Sequence, residues 1–205
     1  MIVVAEPRCG ATKFCIDLAE KNNLDFLGEL YLESITGLEF LTHHKHPKSI
    51  AHETKTGNFF SIETMDLYTD EKKLFLLNQP VNTMGFDTSK FFIMRKNIRD
   101  TLLSYNNYLL TFGNINEDKI NFALGLALFY TQHVFKISYM ITKYCKHYNK
   151  NVLWYEDMEY CKPVNTEKLN MTPEFYKSQI YSLIDLLITN SDMEILRKEL
   201  IESRT

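Results

Sequence analysis

The sequence predicts an α/β fold, a parallel β-sheet flanked by helices in a single domain over residues 1–205. Three observations carry that prediction. Short continuous apolar runs stand at Ile2–Ala5, Leu74–Leu77, Phe91–Met94 and Val152–Tyr155, and runs without alternation belong to strands buried on both faces. Helical periodicities separate them, as a parallel sheet demands, because each crossover must bring the chain back to the same edge. A chain of 205 residues with 45% hydrophobic side chains suits one domain with a sizeable core.

The elements follow in order. Ile2–Ala5 is apolar and rich in β-branched residues, and after the turn at Pro7–Gly10 the positions Phe14, Cys15, Leu18 and Ala19 share one helical face. Residues 35–70 are polar and histidine-rich, and are expected to form a substrate-side insertion or lid. Residues 99–110 read as a helix after the Phe91–Met94 strand, and Glu117–Tyr148 carries a long helical pattern. Its aromatics Phe122, Phe129, Tyr130, Phe135 and Tyr139 are expected in the core. Thr172-Pro173-Glu174 reads as a helix start, with Thr172 capping and Pro173 in the first helical position. Asn190-Ser191-Asp192 divides the C-terminal segment into two helices.

Charge and cysteine content exclude several classes. Lys plus Arg number 23 against 26 Asp plus Glu, a net charge of −3, so no surface is built for a nucleic-acid polymer and an anionic ligand needs a local positive site. Met1–Ala5 meets Glu6 without a basic start and a long apolar stretch, so no secretory signal is expected. The longest near-apolar run, Phe122–Tyr130, is under half of the roughly 20 residues a membrane-spanning helix requires. No membrane partner is expected. The four cysteines, at 9, 15, 145 and 161, lack Cys-x-x-Cys spacing, which indicates reduced thiols in the cytoplasm.

Two strand-to-helix junctions supply local positive charge. Arg8-Cys9-Gly10-Ala11-Thr12-Lys13 lies between the first strand and its helix, where backbone N–H groups converge, Gly10 permits close approach, and Arg8 and Thr12 add charge and a hydroxyl. The same residues also fit a plain βα turn with Gly10 for conformation and Thr12 as cap. The ordinary Mg-dependent nucleotide-hydrolase loop is absent, since Gly10 is followed by Ala11-Thr12 rather than Lys-Ser/Thr. The second junction, Arg95-Lys96-Asn97-Ile98-Arg99-Asp100, leads into a helix that carries Ser104 one turn beyond Asp100. Arg95 or Lys96 then extends from the carboxyl edge of the sheet, where open α/β folds bind ligands. A solvated basic turn is the plainer alternative.

Together these segments resemble the sulfotransferase family that uses 3′-phosphoadenosine 5′-phosphosulfate. Pro7-Arg8-Cys9-Gly10-Ala11-Thr12 is similar to the family's Pro-Arg/Lys-Ser-Gly-Thr/Ser-Thr loop, with Cys9 and Ala11 as departures. Asp100, Ser104 and Tyr105 match its second motif, an Arg, three residues, an Asp, three residues and Ser-Tyr; the Arg position falls on Lys96, with Arg95 just before it. Asn151–Met158 is similar to the late strand ending in Tyr-Glu-Asp-Leu. The resemblance implies a P-loop-like sulfotransferase fold. It implies that Arg8, Gly10 and Thr12, with the amides of Cys9 through Lys13, hold the 5′-phosphosulfate, and that Lys96 or Arg95 with Ser104 holds the 3′-phosphate. Arg8 or Lys13 then stabilises the leaving oxygen, and no metal is implied.

The acceptor, a sugar, lipid or other small alcohol, needs a base. The Lys-Thr-His of the cytosolic small-molecule branch is replaced here by Leu77-Asn78-Gln79-Pro80. Other branches use a glutamate soon after the first helix, and Leu27-Gly28-Glu29-Leu30-Tyr31 is similar, with Glu33 a second choice. Glu29 serves as base if partial burial raises its pKa toward neutrality; otherwise it is a surface glutamate beginning a short helix. His43, His44, His46 and His52 have no i, i+4 helical spacing for a metal, and suit a solvated loop, substrate contacts or the base itself. His133 is expected to pack, His147 to complement a helix end, and Lys162 and Lys168 to substitute for the late basic loop of relatives. Two rivals stand beside this reading: a catalytically inactive nucleotide-binding protein of the same fold, and a small-molecule kinase.

Overall fold

The computed structural model describes residues 1–35, 38–44, 72–79, 89–111 and 120–203. The chain divides into two compact units, residues 1–94 with 151–153, and residues 95–150 with 154–205.

The first unit is an α/β layer. Six strands of the described residues form one sheet: β1 (Ile2–Ala5), β2 (Asp25–Ile35), β3 (Leu38–His44), β4 (Lys73–Gln79), β5 (Ser89–Met94) and β6 (Val152–Trp154), in the spatial order β3-β2-β4-β1-β5-β6. β1 is parallel to β4 on one side and to β5 on the other, and β4 is parallel to β2. All four residues of β1 are buried, so the expectation of an α/β fold with parallel strands holds. Helix α1 (Ala11–Asn22) supplies the first crossover and packs on β1, β2 and β4. It buries Ala11, Cys15, Ile16 and Ala19, while Phe14 meets Phe91 of β5 edge-on with ring centroids 5.5 Å apart.

Strands β2 and β3 correct the sequence expectation. Residues 29–33 lie in the middle of an 11-residue strand rather than at a helix start, and β3 pairs antiparallel with β2 from Ile35↔Leu38 to Glu29↔His44. The expected insertion over 35–70 therefore begins as the return arm of a hairpin; residues 45–70 lie outside the described residues.

The second unit is helical: α2 (Ile98–Leu109), α3 (Ile120–His147), the short α4 (Glu167–Asn170), α5 (Glu174–Thr189) and α6 (Met193–Glu202). Its core gathers Ile98, Leu102 and Leu103 of α2, Val134 and Phe135 of α3, Tyr176, Ile180 and Ile184 of α5, and Met193 of α6. On α3 the buried positions 127, 131, 134, 138, 141 and 145 follow a three-four spacing, the stripe that faces a core. Phe122 and Phe129 fall off that stripe and are 72% and 63% exposed, against their expected burial. Inside the stripe, Thr131 and Asn106 form a buried polar pair: the Asn106 amide donates to the Thr131 hydroxyl at 2.9 Å, and that hydroxyl lies 2.7 Å from the Ala127 carbonyl. Helix α5 also begins later than expected. Pro173 sits at its N-cap with ψ 148, and the Thr172 hydroxyl donates back to the Leu169 carbonyl at 2.6 Å. The division at 190–192 is where the sequence places it.

Candidate functional site

The loop after β1 is built by its neighbours in the sheet. The Glu6 N–H donates to the Ile93 carbonyl at 3.0 Å, extending the β1–β5 ladder by one residue, and Glu6 is buried. Arg8 then takes a left-handed backbone, φ 65, and Gly10 takes another, φ 71. Between them Cys9 is buried; its thiol donates to the Glu6 carbonyl at 2.9 Å and lies 3.5 Å from that of Ile93. The cysteine thus serves as a buried anchor that folds the loop back on the ends of β1 and β5, while Arg8 faces solvent.

Gly10, rather than Thr12, is the N-cap of α1, and no side chain caps this end. The first helical bond runs from the Phe14 N–H to the Gly10 carbonyl at 3.2 Å, so the amides before Phe14 lie at the open end of the helix. A left-handed turn leading into such an end forms a concave array of donors with the positive end of the helix dipole behind it. Thr12 is half-buried in the first turn. Lys13 is exposed and paired with Asp17 one turn on, and that hydrogen bond holds its ammonium above the usual lysine range.

Parallel strands put this loop and the end of β5 on one edge of the sheet. Chain direction reverses there: β1 leads through α1 toward β2 on its β4 side, whereas β6 lies beyond β5 on the other. Ligands of open α/β sheets bind outside the carboxyl ends at such a switch. Asn78 and Gln79 close the carboxyl end of β4, next to β1. Glu29 is the Cα partner of Leu76 in β4 and of His44 in β3, and His43 is opposite Leu30. Glu33 is opposite Phe40; His46 and His52 lie outside the described residues.

In the second unit the segment from Arg95 is tied to Tyr155-Glu156-Asp157, a 3₁₀ turn after β6. The Arg95 side chain is 6% exposed, with its guanidinium 4.3 Å above the Tyr155 ring and 3.9 Å from Glu156 Oε1. The Lys96 N–H donates to Glu156 Oε2 at 2.8 Å, and the 37% exposed Lys96 ammonium pairs with Asp157. Arg197 of α6, 2% exposed, donates through Nη1 to the Arg95 carbonyl, and burial pushes its guanidinium down to about 9. Asn97 caps α2 by accepting from the Arg99 N–H at 2.9 Å, and the Arg99 side chain pairs with Asp185 of α5. Ser104 is buried on α2. Tyr105 beside it is half-buried, and burial, then Tyr130 and Tyr108, push its phenol up to about 12.

The two later basic candidates are anchored through their backbones, Lys162 N–H to the Tyr155 hydroxyl at 3.0 Å and Lys168 N–H to Asn107 Oδ1 at 2.8 Å. His133 stacks on Phe129, and burial ahead of Lys136 lowers its pKa. His147 is in the last turn of α3. Among the described residues no group of three His, Cys, Asp or Glu is placed to hold a metal ion, and no helix is long and apolar enough to cross a membrane. The sequence marks Glu156 only as part of the Tyr155–Asp157 motif, without a role, and does not mark Arg197. For Arg197 a signal existed: it shares the i, i+4, i+7 stripe of α6 with Met193 and Leu200. No protein-family model, no curated protein and no solved structure matches the chain.

Proposed function

We propose that the chain is a sulfotransferase of the P-loop-like fold, moving a sulfuryl group from 3′-phosphoadenosine 5′-phosphosulfate to the hydroxyl of a sugar, lipid or other small alcohol. The observation that carries the reading is the Arg8–Gly10 loop: two left-handed residues lead an exposed arginine and a donor-rich helix end out of the central parallel strand. The amides of Cys9 through Lys13, with Arg8 and Thr12, take the 5′-phosphosulfate. Lys96 or Arg95, with Ser104, takes the 3′-phosphate; the exposure of the Lys96 ammonium, against the stacked and buried Arg95, favours Lys96. The acceptor oxygen bonds to sulfur as the bond from sulfur to the bridging phosphate oxygen breaks. The acceptor proton passes to Glu29 and the electron pair leaves with 3′,5′-adenosine bisphosphate. As in phosphoryl transfer, rate comes from alignment and charge stabilisation, supplied here by Arg8 or Lys13. The enzyme acts in the cytoplasm, where its thiols stay reduced.

The pairing of Lys13 with Asp17 favours a second reading, a nucleotide-binding protein without turnover. Thermal shift tests the donor assignment. A ligand at 100 times its Kd adds about 2.7 kcal/mol of apparent stability, so 3′,5′-adenosine bisphosphate should raise the Tm and ATP with Mg²⁺ should not. Stabilisation by ATP with Mg²⁺ alone would identify a kinase instead. If the bisphosphate binds but Arg8→Ala and Glu29→Gln both leave transfer unchanged, the catalytic roles are wrong.

A further inference from the structure

Arg95 C=O and Lys96 N–H belong to one peptide group. Both ends of that group are held by charged side chains brought from distant parts of the second unit. Its oxygen accepts from the buried Arg197 of α6, and its N–H donates to Glu156 in the turn after β6. A peptide plane held at both poles loses its freedom to rotate, and the Cα at its end is then fixed in place. That Cα belongs to Lys96.

We propose that Glu156 and Arg197 are positioning residues that lock the Arg95–Lys96 peptide and thereby fix the point from which the Lys96 side chain, once it leaves Asp157, reaches the 3′-phosphate of the nucleotide. This rests on the donor assignment above. Arg95 completes the device from the side: its guanidinium stacks on Tyr155 and faces Glu156 Oε1, which keeps the carboxylate turned toward the peptide. Placing a guanidinium in the interior is expensive, and a core requiring only apolar filling at position 197 is served better by leucine. An exposed lysine on a free peptide would sample many directions, whereas one on a clamped peptide has less entropy to lose when the anion arrives.

The test is calorimetric titration of the full chain with 3′,5′-adenosine bisphosphate and with adenosine 5′-monophosphate, which lacks the 3′-phosphate. The ratio of the two Kd values reads the 3′-phosphate contact alone. Lys96→Met should abolish the wild-type preference for the bisphosphate. Glu156→Ala and Arg197→Met should lower it about tenfold, the usual scale for removing a supporting partner, with monophosphate affinity unchanged. Glu156→Gln, which keeps an acceptor for the Lys96 N–H, should retain most of it. Glu156 is partly exposed, so its alanine variant reports even if Arg197→Met does not fold. A Glu156→Ala protein with a lowered Tm and an unchanged ratio would overturn the positioning role while leaving the donor assignment standing. Wild-type protein that shows no preference would overturn both.

Discussion

Replacing Arg8 by glycine and, separately, by alanine should give opposite rankings to those found in a helix. Arg8 holds φ 65. A left-handed conformation costs a residue with a Cβ roughly 1–2 kcal/mol; glycine escapes that cost but loses roughly 0.5–1 kcal/mol more backbone entropy on folding. At mid-range the difference leaves Arg8→Gly more stable than Arg8→Ala by roughly 0.75 kcal/mol. Both variants remove the same guanidinium, so whatever that group contributes cancels. For a chain of 205 residues the difference amounts to roughly 1–4 °C in Tm, readable by calorimetry. Both variants should bind 3′,5′-adenosine bisphosphate roughly 10–100-fold more weakly, the range for one hydrogen bond to a charged group. An alanine variant as stable as the glycine variant, or more so, would mean that position 8 is not left-handed in solution, and the proposed cradle of amides would lose its geometry.

Three other outcomes follow. Thr131→Val takes a partner from the buried Asn106 amide and should cost roughly 1–3 kcal/mol in urea denaturation; adding Asn106→Leu should restore part of that, and simple additivity would show the pair is uncoupled. Asp157→Asn releases the Lys96 ammonium from an exposed ion pair, so bisphosphate affinity should rise a few-fold while stability moves by less than about 1 kcal/mol; weaker binding would contradict a role for Lys96. Tyr105 keeps its proton to about 12 in the folded chain but releases it near 10 when unfolded. Stability present below pH 10 is therefore lost as pH rises toward about 12, and Tyr105→Phe should flatten that arm of a Tm-against-pH curve.

What the sequence discloses depends on how far local pattern decides local structure. β1, β4, β5 and β6 are legible because strands buried on both faces leave unbroken apolar runs. β2 is not, although Leu30 and Leu32 alternate with Glu29, Tyr31 and Glu33: a Gly-Glu pair after a helix imitates a new helix start, and pairing with β3 and β4 decides otherwise. Gly10 is legible as a conformational residue, but nothing in an arginine announces a positive φ at position 8. Nor does the letter at position 9 announce that the Cys9 thiol anchors the turn. Lys96 and Arg95 are indistinguishable as letters. Burial of one and exposure of the other separate them, and that depends on Tyr155 and Glu156, some 60 residues along the chain.

The most direct test of the donor site is an amide chemical-shift titration of the labelled protein with 3′,5′-adenosine bisphosphate. Saturable shifts should appear together at Cys9 through Lys13, where the helix end offers its donors, and at Lys96, with Arg8→Ala weakening both. Shifts confined to other residues, or shifts at the Arg8 loop produced only by ATP with Mg²⁺, would contradict the assignment of this chain as a sulfotransferase.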